Sequence, residues 1–587
     1  ASCATNGALV CCNIRAPLYL AGEDYAMKRK LLVSIAVFVI VGGSLLLAVT
    51  LAGSRPETNP APEPARQSGR TIQVMPWGPS QQAIDAAKAT AIAHPSVQRF
   101  IRGTRHRLLH FEFLEAAAKP IGRSEPPSRY RVTIFDYTNN RAIIAAGGFN
   151  DRKLEVTTDL AQPLPSEEEF EEAVAVLRQD PEIGPRLIEK SLMPYNPMPP
   201  IAGDGTSKLR PDRTVTVGLL PKEGGSDHKI VGVNMVRQTV VTYAGGAPPT
   251  SSAAPLHCGS SESFQPTTNR GTAGQFEVVI SREGTELWRF LAIRPSVSSC
   301  IEGSGIELRD VDYRGKRVLT RANVPVLNVQ YERNTCGPFR DWTYRENMFV
   351  ASGTEVAPGF LMSDSEPQTI IETESDEGTY RGVALYDRED VSLTSELSAA
   401  WYRYISLWIF KDEGIIQPRF GFAATNTACV CLFHTHHVYW RFDFDIGTAA
   451  NNSIRETGPG MPVLMETEVM RQRQPASQQQ TWLIENSLTG DTVVLKPNPL
   501  DGNMDKFARG DVWLLRSKFP SEIDDSAQAG GGSAIRIDSM VNGEPIFKED
   551  VVIWYAGHWT HDSFDINSRH VGQGPFYNGP DIIIRRW

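Results

Sequence analysis

Cys429-Val-Cys-Leu-Phe-His-Thr-His-His-Val-Tyr-Trp-Arg-Phe-Asp-Phe-Asp-Ile446 sets histidines and aspartates inside a run of β-forming residues. From Tyr439 onward aromatic residues alternate with charged ones, the period of a strand with one buried face. On such a strand His434 and His436 project from the same face, about 6.5 to 7 Å apart at the backbone, close enough to share one ion. His437 points the other way. Asp443 and Asp445 repeat that geometry with oxygen donors, which suits a hard cation such as calcium, whereas imidazoles suit copper or zinc.

Two distant stretches bear on this pair. Trp554-Tyr-Ala-Gly-His-Trp-Thr-His561 is a second aromatic strand that ends in a histidine, a candidate third ligand. Ala400-Trp-Tyr-Arg-Tyr-Ile-Ser-Leu-Trp408 places Tyr402 upstream of the pair across a hairpin, because the tight turn Lys411-Asp-Glu-Gly414 joins two strand-like runs.

Together these stretches resemble the copper-dependent amine oxidases that carry a tyrosine-derived quinone, and the chain reads as a divergent, membrane-anchored member. In that family a His-x-His followed by Arg-x-Asp-x-Asp-Ile supplies two copper ligands, here His434-Thr-His436 and Arg441-Phe-Asp-Phe-Asp-Ile446. A Trp-Tyr-x-x-x-x-Thr-His segment supplies the third, here His561. Tyr402, six residues before Trp408, takes the place of the tyrosine that becomes topaquinone. The resemblance implies a second, calcium-type site at Asp443, Phe444, Asp445, Asp550 and Val551, with Asp550 eleven residues before His561 as the family spacing requires.

The implied reaction is oxidative deamination of a primary amine by dioxygen to aldehyde, ammonia and hydrogen peroxide, with copper, topaquinone and calcium as cofactors. It needs a base, and Asp341 in Cys336-Gly-Pro-Phe-Arg-Asp-Trp-Thr-Tyr-Arg-Glu346 is the assignment, with Glu346 behind it. Three features depart from the family pattern. Asp341 lies sixty-one residues before Tyr402, where eighty to ninety is usual, and Tyr402 is flanked by Trp401 and Arg403 rather than by Asn and an acid. The interval from Tyr402 to His434 is thirty-two residues, a trimmed hairpin. Trp401 beside Tyr402 could block the ring rotation that quinone formation requires, which defines the competing reading: a catalytically silent copper-binding β-sandwich with an adhesion or assembly role. A zinc hydrolase is disfavoured, because no glutamate is placed as the usual base beside the histidines.

The rest of the chain fits around this domain. Its 587 residues exceed a single domain, and 59 basic against 68 acidic residues, a net charge of −9, argue against a nucleic-acid binder. Residues 1–26 read as an N-terminal tail and residues 27–53 as a transmembrane anchor, whose apolar stretch at 31–52 follows Lys28-Arg-Lys30. The folded part is then expected outside the cytoplasm, or secreted if the segment is cleaved. Residues 54–71 form a Pro/Ala-rich stalk.

A small α+β unit is expected over 72–158, with a helix at 83–94 and strands at 108–113, 129–135 and 142–146. A second spans 159–243, where Ser166 caps a helix that opens with acids, followed by strands at 214–220 and 229–234. The resemblance likens both to cystatin folds. A linker covers 244–273, and short strands from 274 to 587 read as one large β-sandwich, so the chain is expected to be mainly β. Its family resemblance also implies a homodimer.

His106 and His110 lack a third ligand nearby and read as structural. Cys258, Cys300, Cys336, Cys429 and Cys431 allow one or two disulfides, with a thiol left over. Cys3, Cys11 and Cys12 precede the apolar segment. Asn451-Asn-Ser453 has the form of a glycosylation acceptor.

Overall fold

The computed structural model describes residues 69–587 apart from 115–118, 121, 152, 161, 198–200, 203–210, 222–228, 244–272, 299–303, 332–345, 374, 426–429, 431, 503–509, 520, 523–536 and 562–576. For Ile201, Ala202, Ser304, Gln330, Tyr331, Ala476 and His561 it describes the backbone alone. The tail, anchor and stalk at 1–68, the base candidate Asp341 and all the cysteines therefore lie outside the described residues. Among the described residues no helix is long and apolar enough to cross a membrane.

Two large sheets dominate, as the run of short strands predicts. One has nine strands in the order Arg70–Pro76, Gln275–Arg282, Thr285–Ile293, Ser304–Tyr313, Lys316–Tyr331, His434–Phe444, Val551–His561, Val512–Arg516 and Val469–Arg471. The other has eleven and contains the meander Val391–Ala399, Tyr402–Lys411 and Ile415–Ala424. Their facing sides share one apolar core, because alternate residues of the central strands point into it: Trp288, Phe290 and Trp440 from the first sheet meet Trp408 and Phe410 from the second. Phe290 and Phe410 stack at 4.2 Å between ring centroids. Indole N–H groups bridge the layers, Trp288 donating to the Lys411 carbonyl at 2.9 Å and Trp408 to that of Ile306 at 3.0 Å. Each bridge satisfies a polar atom that the core would otherwise strand.

The small α+β units also form. Strands His106–Phe113, Arg129–Asp136, Arg141–Gly148 and Leu154–Asp159 make an antiparallel sheet against helices Gln81–Ala93 and Pro95–Ile101, whose Ala87, Ala91, Val97 and Ile101 pack on Val132, Ile134 and Ile143. In the second unit Ser166 Oγ accepts from the Glu169 N–H at 3.2 Å, the cap expected ahead of helix Glu167–Leu177. The two units share a core, and a fully buried pair, Arg213 with Glu169 at 2.6 Å, lies within it beside Tyr137.

One boundary moves. Residues 70 and 71 were expected in the stalk and the first small unit from 72, yet strand Arg70–Pro76 pairs along its length with Gln275–Arg282 at the edge of the nine-stranded sheet. Ile72 and Val74 pack against the sandwich core, and that burial outweighs sequence proximity to the helix that follows.

Candidate metal and quinone centre

Strand His434–Phe444 is buried throughout, and its alternation sorts its side chains between two environments. His434 and His436 lie in phase with Val438, Trp440, Phe442 and Phe444, which are all in the inter-sheet core. His437, Tyr439, Arg441 and Asp443 belong to the opposite face, where Tyr439 packs with Trp513 and Trp554 in a separate cluster. The expected same-face geometry of the first two histidines holds, with their ring centroids 4.9 Å apart.

Tyr402 reaches this pair from the other sheet. Its hydroxyl lies 2.8 Å from His434 Nε2, and its ring meets the His436 ring edge-on at 4.6 Å. On the far side His434 Nδ1 faces the Leu432 carbonyl, which fixes the proton there and turns Nε2 toward the phenol. Tyr404, two residues on and so on the same face, places its hydroxyl 2.8 Å from His436 Nδ1. Metal binding by His436 would therefore go through Nε2. The Phe422 ring covers His436 at 4.1 Å, and Trp559 lies behind Phe422 at 5.8 Å. Tyr402, His434 and His436 are almost wholly removed from water.

His561 stands opposite His434 in the ladder between the His434–Phe444 and Val551–His561 strands. Strands remote in sequence thus bring three histidines to one end of the same sheet. The buried His434 and His436 imidazoles beside a phenol fit copper, which favours imidazole donors, better than they fit a hard cation.

Neither unusual neighbour of Tyr402 points at the phenol. Ala400 and Trp401 form the two-residue connection between strands Val391–Ala399 and Tyr402–Lys411, with Ala400 in the left-handed region at φ 53°. Trp401 packs its ring on Tyr195 of the second small unit at 5.1 Å and stays 6.2 Å from the Tyr402 ring. Arg403 faces the outside of its sheet and pairs with Asp376, Nε to Oδ1 at 3.0 Å and Nη2 to Oδ2 at 2.9 Å. Glu346, the reserve base, is tied up in a buried pair with Arg294, Nε to Oε1 at 2.9 Å.

The residues of the expected calcium-type site come together. Asp443, Asp445 and Asp550 do converge, and Phe444 pairs with Val551 in the ladder beside them. A cation is already there: Lys119 Nζ donates to Asp443, Asp445 and Asp550 at 2.6, 2.7 and 2.7 Å. The ammonium bonded to all three carboxylates takes the space between them. Lys119 lies more than three hundred residues from its partners in sequence, so no spacing motif could have flagged it. Tyr404 carried a signal that was passed over, its i+2 relation to Tyr402 on a strand.

On the outer face a further polar chain is buried. His437 Nδ1 lies 2.7 Å from His558 Nδ1, and His558 Nε2 lies 2.8 Å from Asp511. Burial is the largest influence on His558 and pulls it down to about 4, so it is neutral near pH 7. His106 and His110 do not approach one another's ligands: His106 sits by Thr104 and His110 Nε2 meets the Leu164 carbonyl at 2.6 Å.

Comparison with known proteins closes the description. No protein-family model matches the chain, and no curated protein matches it in sequence. Solved structures do match in shape. A copper-containing benzylamine oxidase from Hansenula polymorpha aligns with a TM-score of 0.51 at 11% identity, covering 87% of this chain and 92% of that one. An Aspergillus nidulans amine oxidase aligns with a TM-score of 0.51 at 12% identity, covering 86% and 88%. At that identity the likeness speaks for architecture alone, and it spans the small units as well as the sandwich: the chain has the fold of the copper amine oxidases.

Proposed function

We propose that this protein is a primary-amine oxidase in which His434, His436 and His561 hold copper and Tyr402 is the precursor of topaquinone. The observation that carries the reading is the Tyr402 hydroxyl 2.8 Å from His434 Nε2 in a site closed to bulk water. Copper held by these histidines, together with topaquinone at Tyr402, would supply the two-electron oxidation of a primary amine, with dioxygen as the oxidant reduced to hydrogen peroxide and water consumed in releasing aldehyde and ammonia.

The chain's own groups prepare this chemistry. The Leu432 carbonyl and the Tyr404 hydroxyl orient the two imidazoles, as outer partners of metal-bound histidines do. Phe422 and Trp559 keep water from the histidine side, which strengthens polar interactions inside. Trp401, pinned by Tyr195, holds one end of the Tyr402 strand while leaving the phenol face clear. Asp341 is proposed as the base that removes the proton from the amine-bearing carbon. The proposal also includes a homodimer and an anchor at residues 31–52 that holds the folded part outside the cytoplasm.

The test is spectroscopic. Copper-loaded full-length protein is expected to be pink, to contain about one copper per chain and to form a coloured adduct with phenylhydrazine. Protein that binds copper stoichiometrically yet stays colourless and unreactive would establish the catalytically silent sandwich instead. Zinc alone on metal analysis would sink both readings.

A further inference from the structure

The place where a divalent ion would sit on the outer face of the nine-stranded sheet is filled by the protein itself. Lys119 comes from the first small unit, beyond strand His106–Phe113, and its side chain is only 11% exposed. Its three N–H bonds all go to carboxylates: Asp443 and Asp445 near the end of one strand, and Asp550 just before the next. A lysine ammonium has three donors, so Lys119 is saturated by this trio.

Neighbours of Lys119 are fastened to the same sheet. Arg123 Nη2 bonds Glu277 at 2.8 Å, the Ser124 N–H donates to Asp310 at 2.6 Å, and Arg317 donates to the Gly122 carbonyl at 3.2 Å. These contacts lay a strap of the first small unit across strands of the sandwich, and Lys119 is its most buried ionic anchor.

We infer that Lys119 is a tethered cation which replaces a divalent metal at the Asp443, Asp445 and Asp550 site and locks the first small unit to the sandwich. The wild-type protein thus needs no calcium there, and removing the ammonium opens a divalent-cation site. This inference is independent of turnover and of copper.

Calcium titration of the full chain tests it, read by terbium luminescence and by the unfolding midpoint. Wild type is expected to show no saturable terbium signal quenched by calcium and no calcium-dependent midpoint. Lys119→Ala, or Lys119→Met should the first not fold, is expected to take up one equivalent of calcium, with a lower midpoint that calcium raises. Adding Asp550→Asn to the lysine variant should abolish the new site. Wild-type protein that binds calcium in an Asp550-dependent way would overturn the inference, and so would folded lysine variants that gain no site.

Discussion

The hydroxyl of Tyr402 and Nε2 of His434 approach to 2.8 Å across two different sheets, although thirty-two residues of chain separate them. One strand begins at Tyr402 directly after a two-residue connection, and the other begins at His434. The two residues face each other because both strands start at the same end of the sandwich.

Replacing Tyr402 by Phe removes the only oxygen that this side chain can offer and little of its volume. Copper content is expected to stay near one per chain, since the histidines keep their places. The pink chromophore and the phenylhydrazine adduct should disappear, and amine turnover should fall to background. Absorbance spectra of copper-loaded wild type and variant check this, and an adduct that survives in Tyr402→Phe would remove Tyr402 from the chemistry.

Tyr404 plays a different part, because its hydroxyl touches His436 Nδ1 rather than the atom that would bind metal. Tyr404→Phe should therefore weaken copper binding by about 10- to 100-fold, the usual cost of losing an outer partner of a metal-bound histidine. Competition titration against a chelator of known affinity measures it. The chromophore should still form once copper is saturating, which separates orientation of the ligand from identity of the cofactor.

Across the same strand His437 serves the opposite face. Its partner His558 is buried and bonded to Asp511, so His437→Leu strands a polar nitrogen of His558 at a cost of about 1–3 kcal/mol. The copper stoichiometry should not change, because side chains of adjacent strand residues point apart. Denaturant unfolding and metal analysis together test both halves, and loss of copper would mean that the face assignment is wrong.

Much of this was legible because β-structure writes itself into sequence with a period of two. The alternation after Tyr439 separates His434 and His436 from His437, and the turn Lys411-Asp-Glu-Gly414 forms as expected, with Gly414 at φ 87°. Lys119 was illegible for a physical reason: an isolated lysine carries no pattern, and its role exists only once a distant unit folds against the sheet. The strand Arg70–Pro76 was misplaced for a related reason, since its partner Gln275–Arg282 lies two hundred residues on and only tertiary packing selects it. The flanks of Tyr402 looked obstructive by residue type, yet strand alternation sends Arg403 to Asp376 on the outer side.

That outer side supplies a pH-dependent test. Glu396 is fully buried on strand Val391–Ala399, accepting from the Asn347 amide at 2.8 Å and the Ile370 N–H at 3.1 Å. Burial dominates and pushes its carboxyl up to about 8 in spite of those donors. In the unfolded chain a glutamate titrates near about 4.3. The folded state therefore holds a proton that the unfolded state has released, and the resulting stabilisation is complete below the unfolded value and is lost as pH rises through about 8. Over that window wild type should lose stability relative to Glu396→Gln at up to about 1.4 kcal/mol per pH unit. Above it the difference should level off, because the carboxyl is then ionised in both states. Urea unfolding of both proteins across the window decides the matter, and parallel stability curves would mean that Glu396 is already ionised in the folded protein at neutral pH.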